Sequence, residues 1–242
     1  MSARRLPGAD LRALLRPALS TTSSAQVQPE DLVPALLDGR RPAVVVDLGC
    51  GRGDSVDVFR AADPGGRWVG VDLEGSEGLA QRTRADAEVV VFDGVNLPFA
   101  DGTVDVVFCK QVLEHVERPE PLLADVARVL APGGVFAGST SHLEPYHGYS
   151  IANITPYGLK RSLERAGLEL EAVMPGVDGP TLIARRLLGM PRWFDRWWGR
   201  RSPLNALIDG VARVTGWDAE DRNAIKLLLC GQYAFVARRR ER

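Results

Sequence analysis

Apolar residues recur along this chain in two alternating rhythms. From Pro42 onward, short β-branched and aromatic runs are separated by stretches of helical period. Val44-Val45-Val46 is too short for a helix and has the uniform hydrophobicity of a strand covered on both faces. Trp68 to Val71, Val89 to Phe92, Val104 to Phe108 and Val135 to Ser139 repeat that signal. Between them, Pro121 to Leu130 places Leu122, Val126 and Leu130 at every fourth position, which predicts a helix. Strand and helix in alternation imply right-handed crossovers and a mostly parallel α/β sheet.

The ends of the chain follow other patterns. Leu11, Leu14, Leu15 and Leu19 share one helical face over residues 10–19. A polar stretch from Ser20 to Gln28 reads as a linker, and Pro29 to Leu37 as a short helix. After the fifth strand, Thr155-Pro156 marks a helix start, Leu159 and Leu163 face inward, and Gly167 ends it. Leu168 to Val173 and Gln232 to Ala237 complete the strand count. The segment between those two is helical in period, with Leu204, Leu207, Ile208 and Val211 as its clearest face. So long an insertion at a sheet edge predicts a helical cap rather than a loop. The expected organisation is an N-terminal helical extension over 1–40 and one domain over 41–242, with the cap at 180–230.

Composition narrows the function. The 242 residues are 45% hydrophobic and 25% charged, with a formal net charge of −1. A near-neutral chain has no overall field to gather nucleic acid, so no nucleic-acid partner is expected. Cys50, Cys109 and Cys230 lie far apart and without metal or redox spacing, which fits a reducing compartment. Arg12 and Arg16 interrupt the first leucines, so no signal peptide is read there, and nowhere do 18 apolar residues run together. A cytoplasmic protein without a transmembrane segment is expected; its oligomeric state is not legible.

The strongest motif is Val44 to Gly53, VVVDLGCGRG. A strand ends in Asp47 and glycines follow at 49, 51 and 53. Glycine permits positive φ and lets a ligand approach the backbone, as a strand-to-helix turn under a nucleotide requires. The dinucleotide fingerprint needs its third glycine at position 54, which is Asp54 here, and this speaks against a nicotinamide dehydrogenase. Asp47 and Asp54 beside the turn repel a pyrophosphate but suit a ligand with an ammonium and a sulfonium. Asp72 and Asp93 each end a predicted strand, at the edge where ligands sit in open parallel sheets. Asp72 is about 20 residues past the turn, where an acid grips ribose hydroxyls. Asp93 can accept from an adenine amino group, with the Gly94 backbone reaching the ring. A turn-forming or helix-capping role explains one such acid easily, and three in consecutive βα units poorly.

These blocks resemble the class I methyltransferases, in particular the broad small-molecule methyltransferase family. The resemblance runs from about Val44 to Val173. Its carriers are Val44 to Gly53, Val71-Asp72-Leu73, Phe92-Asp93-Gly94 with Leu97-Pro98-Phe99, Val104 to Val107, Val112 to Val116, and Arg128 to Gly134. It implies a Rossmann-like seven-stranded sheet, mostly parallel with the last strand antiparallel, and S-adenosylmethionine as cofactor. It further implies that Asp47 and Gly49 hold the methionine part, Asp72 the ribose and Asp93 the adenine. The full set expected at the cofactor is Asp47, Gly49, Cys50, Gly51, Asp72, Leu73, Asp93, Gly94 and Lys110.

For the acceptor side, the stretch after the fourth strand reads Cys109 to His115 and lacks the Asn/Asp-Pro-Pro-aromatic motif of base and amide methylation. In a quinone-type O-methyltransferase branch the same stretch holds a divalent metal with two Glu and a His. Gln111 replaces the first Glu here, so no metal is expected. Ser141 to Tyr149 leaves the carboxyl end of strand five and carries His142, Glu144, Tyr146, His147 and Tyr149. A histidine suits removal of a hydroxyl proton at neutral pH, and His147, His115 and Glu144 are the catalytic candidates. The expectation is O-methylation of a small-molecule hydroxyl of sugar or natural-product type. The alternatives are a non-catalytic cofactor-binding scaffold and a lipid-linked or macromolecular acceptor. Trp193, Phe194, Trp197 and Trp198 among Arg192, Arg196, Arg200 and Arg201 read as an aromatic helical face that packs the cap. That segment also leaves room for weak contact with a membrane surface.

Overall fold

The computed structural model describes residues 7–146 and 148–240. Seven strands form one sheet: β1 Val44–Leu48, β2 Arg67–Leu73, β3 Glu88–Phe92, β4 Val104–Lys110, β5 Leu130–Ser141, β6 Leu168–Pro175 and β7 Gln232–Arg239. Their spatial order is β3-β2-β1-β4-β5-β7-β6, and only β7 runs antiparallel to its neighbours. The chain reverses direction across β1, moving outward to β3 on one side and starting again at β4 on the other. That reversal opens a crevice at the carboxyl ends of β1 and β4, where α/β sheets bind ligands.

The helices are α1 Ala9–Leu15, α2 Val33–Leu36, α3 Val56–Ala62, α4 Glu77–Ala80, α5 Pro119–Val129, α6 Pro156–Arg165, α7 Gly179–Leu187, α8 Pro203–Thr215 and α9 Ala219–Leu229. Two apolar layers cover the sheet. Val46 and Leu48 of β1 face one layer with Leu15 of α1, Leu122 and Val126 of α5, Leu159 and Leu163 of α6, and Leu227 of α9. Val45 faces the other with Val33 and Leu36 of α2 and Val56 and Phe59 of α3. Alternate residues of one β-branched strand therefore serve two cores, which is why the run is hydrophobic without alternation.

The segments that flank the sheet pack together. Arg12 of α1 bonds Asp218 at 2.9 Å and Glu220 at 2.7 Å, and also reaches Asp221. Val27 N donates to Pro175 O at 3.0 Å and Val173 N to Ala18 O at 3.1 Å, so the chain before β1 runs along β6. The residues between β6 and β7 depart from the sequence pattern in two places. Only Ile208 of the predicted α8 face is buried, while Leu207 is 62% exposed and Val211 also faces solvent. The buried side of α8 instead carries Asn205, Asp209 and Ala212, because α8 packs where polar partners wait. The aromatic segment is a 3₁₀ helix, Arg192–Trp197, not an α-helical face. Phe194 is buried, and Arg196 lies over Trp193 and Trp197 at 5.2 and 4.4 Å. Among the described residues no helix is long and apolar enough to cross a membrane.

Candidate active site

The site starts at the end of β1. Asp47 is buried, and its carboxylate accepts from the Ser55 hydroxyl, which in turn accepts from Trp68 Nε1 at 3.1 Å. Burial pushes the Asp47 carboxyl up to about 7, against the opposing pull of the Ser55 hydrogen bond and with a further push from Asp72. The turn that follows is bent by Gly49 at φ 69°, Gly51 at 52° and Gly53 at 79°. Gly49 N and Cys50 N both donate to Val71 O, at 2.8 and 3.2 Å, which holds the turn against β2. A Cβ on Gly49 would meet Val112 Cγ2 at 2.4 Å, so the turn passes directly under the residues that follow β4.

Asp72 ends the buried part of β2. One carboxylate oxygen accepts from Gly51 N at 2.7 Å and the other from Leu73 N at 2.7 Å. Asp93 follows β3 and accepts from Val95 N at 2.8 Å, Asn96 N at 2.6 Å and Asn96 Nδ2 at 2.6 Å. The Asn96 side chain and then the amides hold its carboxyl below the usual carboxylate range, so Asp93 stays anionic. Between these elements lies a cleft of about 990 Å³ whose walls include Gly49, Asp72, Leu73, Phe92, Asp93 and Gly94. Gln111, Val112 and His115 line its other side, with Gly148 and Tyr149 from the loop after β5.

Of the sequence-predicted cofactor residues, Gly49, Asp72, Leu73, Asp93 and Gly94 meet in this cleft. Asp47, Cys50, Gly51 and Lys110 are not on its walls. Asp47 and Gly51 support it from below through Ser55 and Asp72. Lys110 turns its ammonium to Glu30 instead. Burial and the neighbouring Asp47 push the Cys50 thiol up to about 12, so it remains protonated. Of the catalytic candidates, His115 is on the wall. Glu144 is not; it accepts from Ser141 Oγ and Gln232 Nε2, both at 2.8 Å. His147 lies outside the described residues.

Two features escaped sequence reasoning. Gln111 holds a positive φ of 55°, which no composition rule marks, and it is one of the residues on the cleft wall. Glu114 is fully buried and accepts from Thr140 Oγ1 at 2.9 Å, with Ser141 Oγ a further 3.0 Å neighbour. The hydroxyl run Ser139-Thr140-Ser141 at the end of an otherwise apolar strand was the available signal for that partner. Among the described residues no group of three or more His, Cys, Asp or Glu is placed to hold a metal.

A family model described as a methyltransferase domain matches residues 46–138, which contain the turn, both strand-end acids and His115. A relative from Mycobacterium marinum, described as an uncharacterized methyltransferase, is 35% identical over 182 residues, covering 66% of this chain and 70% of the relative. The chain belongs to the class I S-adenosylmethionine-dependent methyltransferases. A Mycolicibacterium smegmatis relative named "Probable S-adenosylmethionine-dependent methyltransferase" is 32% identical over 152 residues, 57% of this methyltransferase and 56% of the relative. The first relatives are spanned unevenly, from 35% to 67% of their own length. A solved geranyl diphosphate methyltransferase in complex with S-adenosylmethionine shares the fold at TM-score 0.52 and 20% identity, over 87% of this methyltransferase and 85% of that chain.

The cleft of this methyltransferase fits such a cofactor on its own geometry. Its floor is a glycine turn that a single Cβ would obstruct, and carboxylates of adjacent strands stand along it. Leu73, Phe92 and Val112 supply apolar surface for a ring. When bound, S-adenosylmethionine supplies a methyl group on a cationic sulfur; the protein's part is to hold and orient it.

Proposed function

We propose that this methyltransferase O-methylates the hydroxyl of a small molecule, with His115 as the residue that takes the hydroxyl proton. The observation that carries this reading is that His115 shares one cleft with Asp72 and Asp93. Asp72 binds the ribose hydroxyls, Asp93 and Gly94 the adenine edge, and Gly49 the methionine end. Asp47 keeps the turn in shape from beneath, through Ser55. Dispersal of the sulfonium charge during transfer leaves little charge for the protein to stabilise. Alignment and exclusion of water then dominate catalysis. A hydroxyl acceptor gains from a base, and imidazole is the side chain generally suited to that task near neutrality.

Transfer of a labelled methyl group to a panel of sugar and natural-product hydroxyls tests the activity. His115→Ala should lower kcat about 100-fold or more, with cofactor affinity changed little. An unchanged rate retires His115 as the base and passes the role to His147, whose chain neighbours Gly148 and Tyr149 are on the wall. No label transfer to any hydroxyl, with cofactor binding intact, overturns O-methylation of such acceptors.

A further inference from the structure

A second cleft, of about 500 Å³, shares no wall residue with the first. It lies between the strap that precedes β1 and the helices α8 and α9. Four guanidinium groups line it: Arg200, Arg201, Arg213 and Arg222. Two carboxylates do so as well, Asp31 and Asp209, and both are already engaged. Asp31 accepts from Gln28 N at 2.9 Å. Asp209 bonds the fully buried Lys226 at 2.6 Å and Arg201 at 3.2 Å. Among the described residues, Arg200 and Arg213 form no ion pair with any carboxylate. On a protein of net charge −1 this is a local concentration of uncompensated positive charge. Like charges crowded around a concave wall repel one another, and an anion bound among them relieves that cost.

The cleft is also built rather than incidental. Gln26 donates to Arg200 O at 3.2 Å and accepts from Ser202 N at 3.1 Å and Asn205 Nδ2 at 2.8 Å. Asn223 Nδ2 donates to Ser20 O at 3.1 Å and Ser23 O at 2.8 Å, and Lys226 Nζ to Ser24 O at 2.7 Å. Side chains of the helices thus pin the strap at both ends, which sets the hydroxyl residues Thr22 and Ser23 opposite the arginines. Trp198 adds an aromatic wall. Guanidinium forks with hydroxyl donors match the several oxygens of a phosphoryl group better than any neutral ligand.

We propose that this cleft is a second ligand site, which binds a phosphoryl-bearing anion. A free organophosphate and a phospholipid headgroup present the same chemistry. The proposal is independent of the methyl acceptor, because the two clefts are separate.

Titration calorimetry with inorganic pyrophosphate, at low ionic strength set by chloride, tests it. Binding to the wild type that weakens about tenfold or more in Arg200→Ala/Arg213→Ala, with S-adenosylmethionine affinity retained, supports a free anion as ligand. Flotation with phosphatidylcholine vesicles, with and without phosphatidic acid, reads the other source. Binding that needs phosphatidic acid and is lost in the same variant supports the headgroup. Binding of neither probe overturns the proposal, as does binding that the double variant leaves unchanged. Malonate bound as tightly as pyrophosphate overturns the phosphoryl assignment.

Discussion

The carboxylate of Asp72 accepts the backbone amide of Gly51 at 2.7 Å, so the acid ending β2 braces the glycine turn that ends β1. The two signals that are separated by about 20 residues in sequence are one structure in space. The acid orders the loop, and the loop fixes the acid's rotamer beside the cleft.

Replacing Asp72 with Ala removes that brace together with the strand-end charge. Cofactor affinity should fall about tenfold to a hundredfold, as expected for hydrogen bonds to a charged group. Asp72→Asn keeps one acceptor oxygen where two are used, on Gly51 and Leu73, and should fall between Ala and wild type. Calorimetric titration of S-adenosylmethionine into the three proteins measures the series. Equal affinity in all three would show that Asp72 serves the turn alone.

Gly49→Ala meets two separate obstacles. The added Cβ lies 2.4 Å from Val112 Cγ2, and φ of 69° is strained for any L side chain. A cost of about 1–3 kcal/mol in unfolding free energy is expected, with weakened cofactor binding. Adding Val112→Ala should recover only part of it, because the contact is relieved and the dihedral is not. Denaturant unfolding of the single and double variants separates the two costs, and full recovery would place all of the cost in the contact.

The sheet was legible because its first four strands are compact runs rich in Val, with Phe, Leu or Trp beside it, and Val45 and Val46 serve opposite layers with the same hydrophobicity. The turn and its acids were legible because glycine and aspartate have few other reasons to recur at strand ends. Gln111 was not, since its positive φ arises from how the chain leaves β4, and sequence carries no trace of that. The exposed side of α8 was misread for a related reason. Leu207 and Val211 recur as a buried face does, but tertiary packing turned Asn205 and Asp209 inward, where Gln26 and Gly176 O accept from Asn205 Nδ2 and Lys226 pairs with Asp209. The strap's role as a cleft wall depends on α8 and α9, about 180 residues further on, and no local pattern could announce it.

Asp47 gives the fold a pH dependence of known sign. Its carboxyl is raised from 3.8 to about 7 by burial, so the native state holds a proton that the unfolded chain releases. This group's contribution is fully present below the unfolded value and is lost as pH rises through about 7, by about 1.4 kcal/mol per pH unit at most. Asp47→Asn keeps an oxygen for the Ser55 hydroxyl and removes the titration. Between about pH 5 and pH 8 the wild type should therefore lose more stability than the variant. Parallel denaturant curves at the two pH values read the difference, and identical losses would show that Asp47 titrates as an exposed acid.

Lys226 and Asp209 form an ion pair at 2.6 Å, with the lysine fully buried, and this pair joins α9 to α8. Burying an ammonium is costly, and burial lowers the Lys226 pKa even though Asp209 opposes that shift. Asp209→Ala would leave the charge without its carboxylate, with Ser24 O as a remaining hydrogen-bond partner, and should cost about 3–5 kcal/mol. The loss should shrink toward neutral pH and above, as the lysine in the variant sheds its proton. Lys226→Met removes the charge and fills its space, so Asp209→Ala/Lys226→Met should be more stable than Asp209→Ala alone. A double variant less stable than either single change would mean that the two side chains act separately, and that α8 is held by its other contacts.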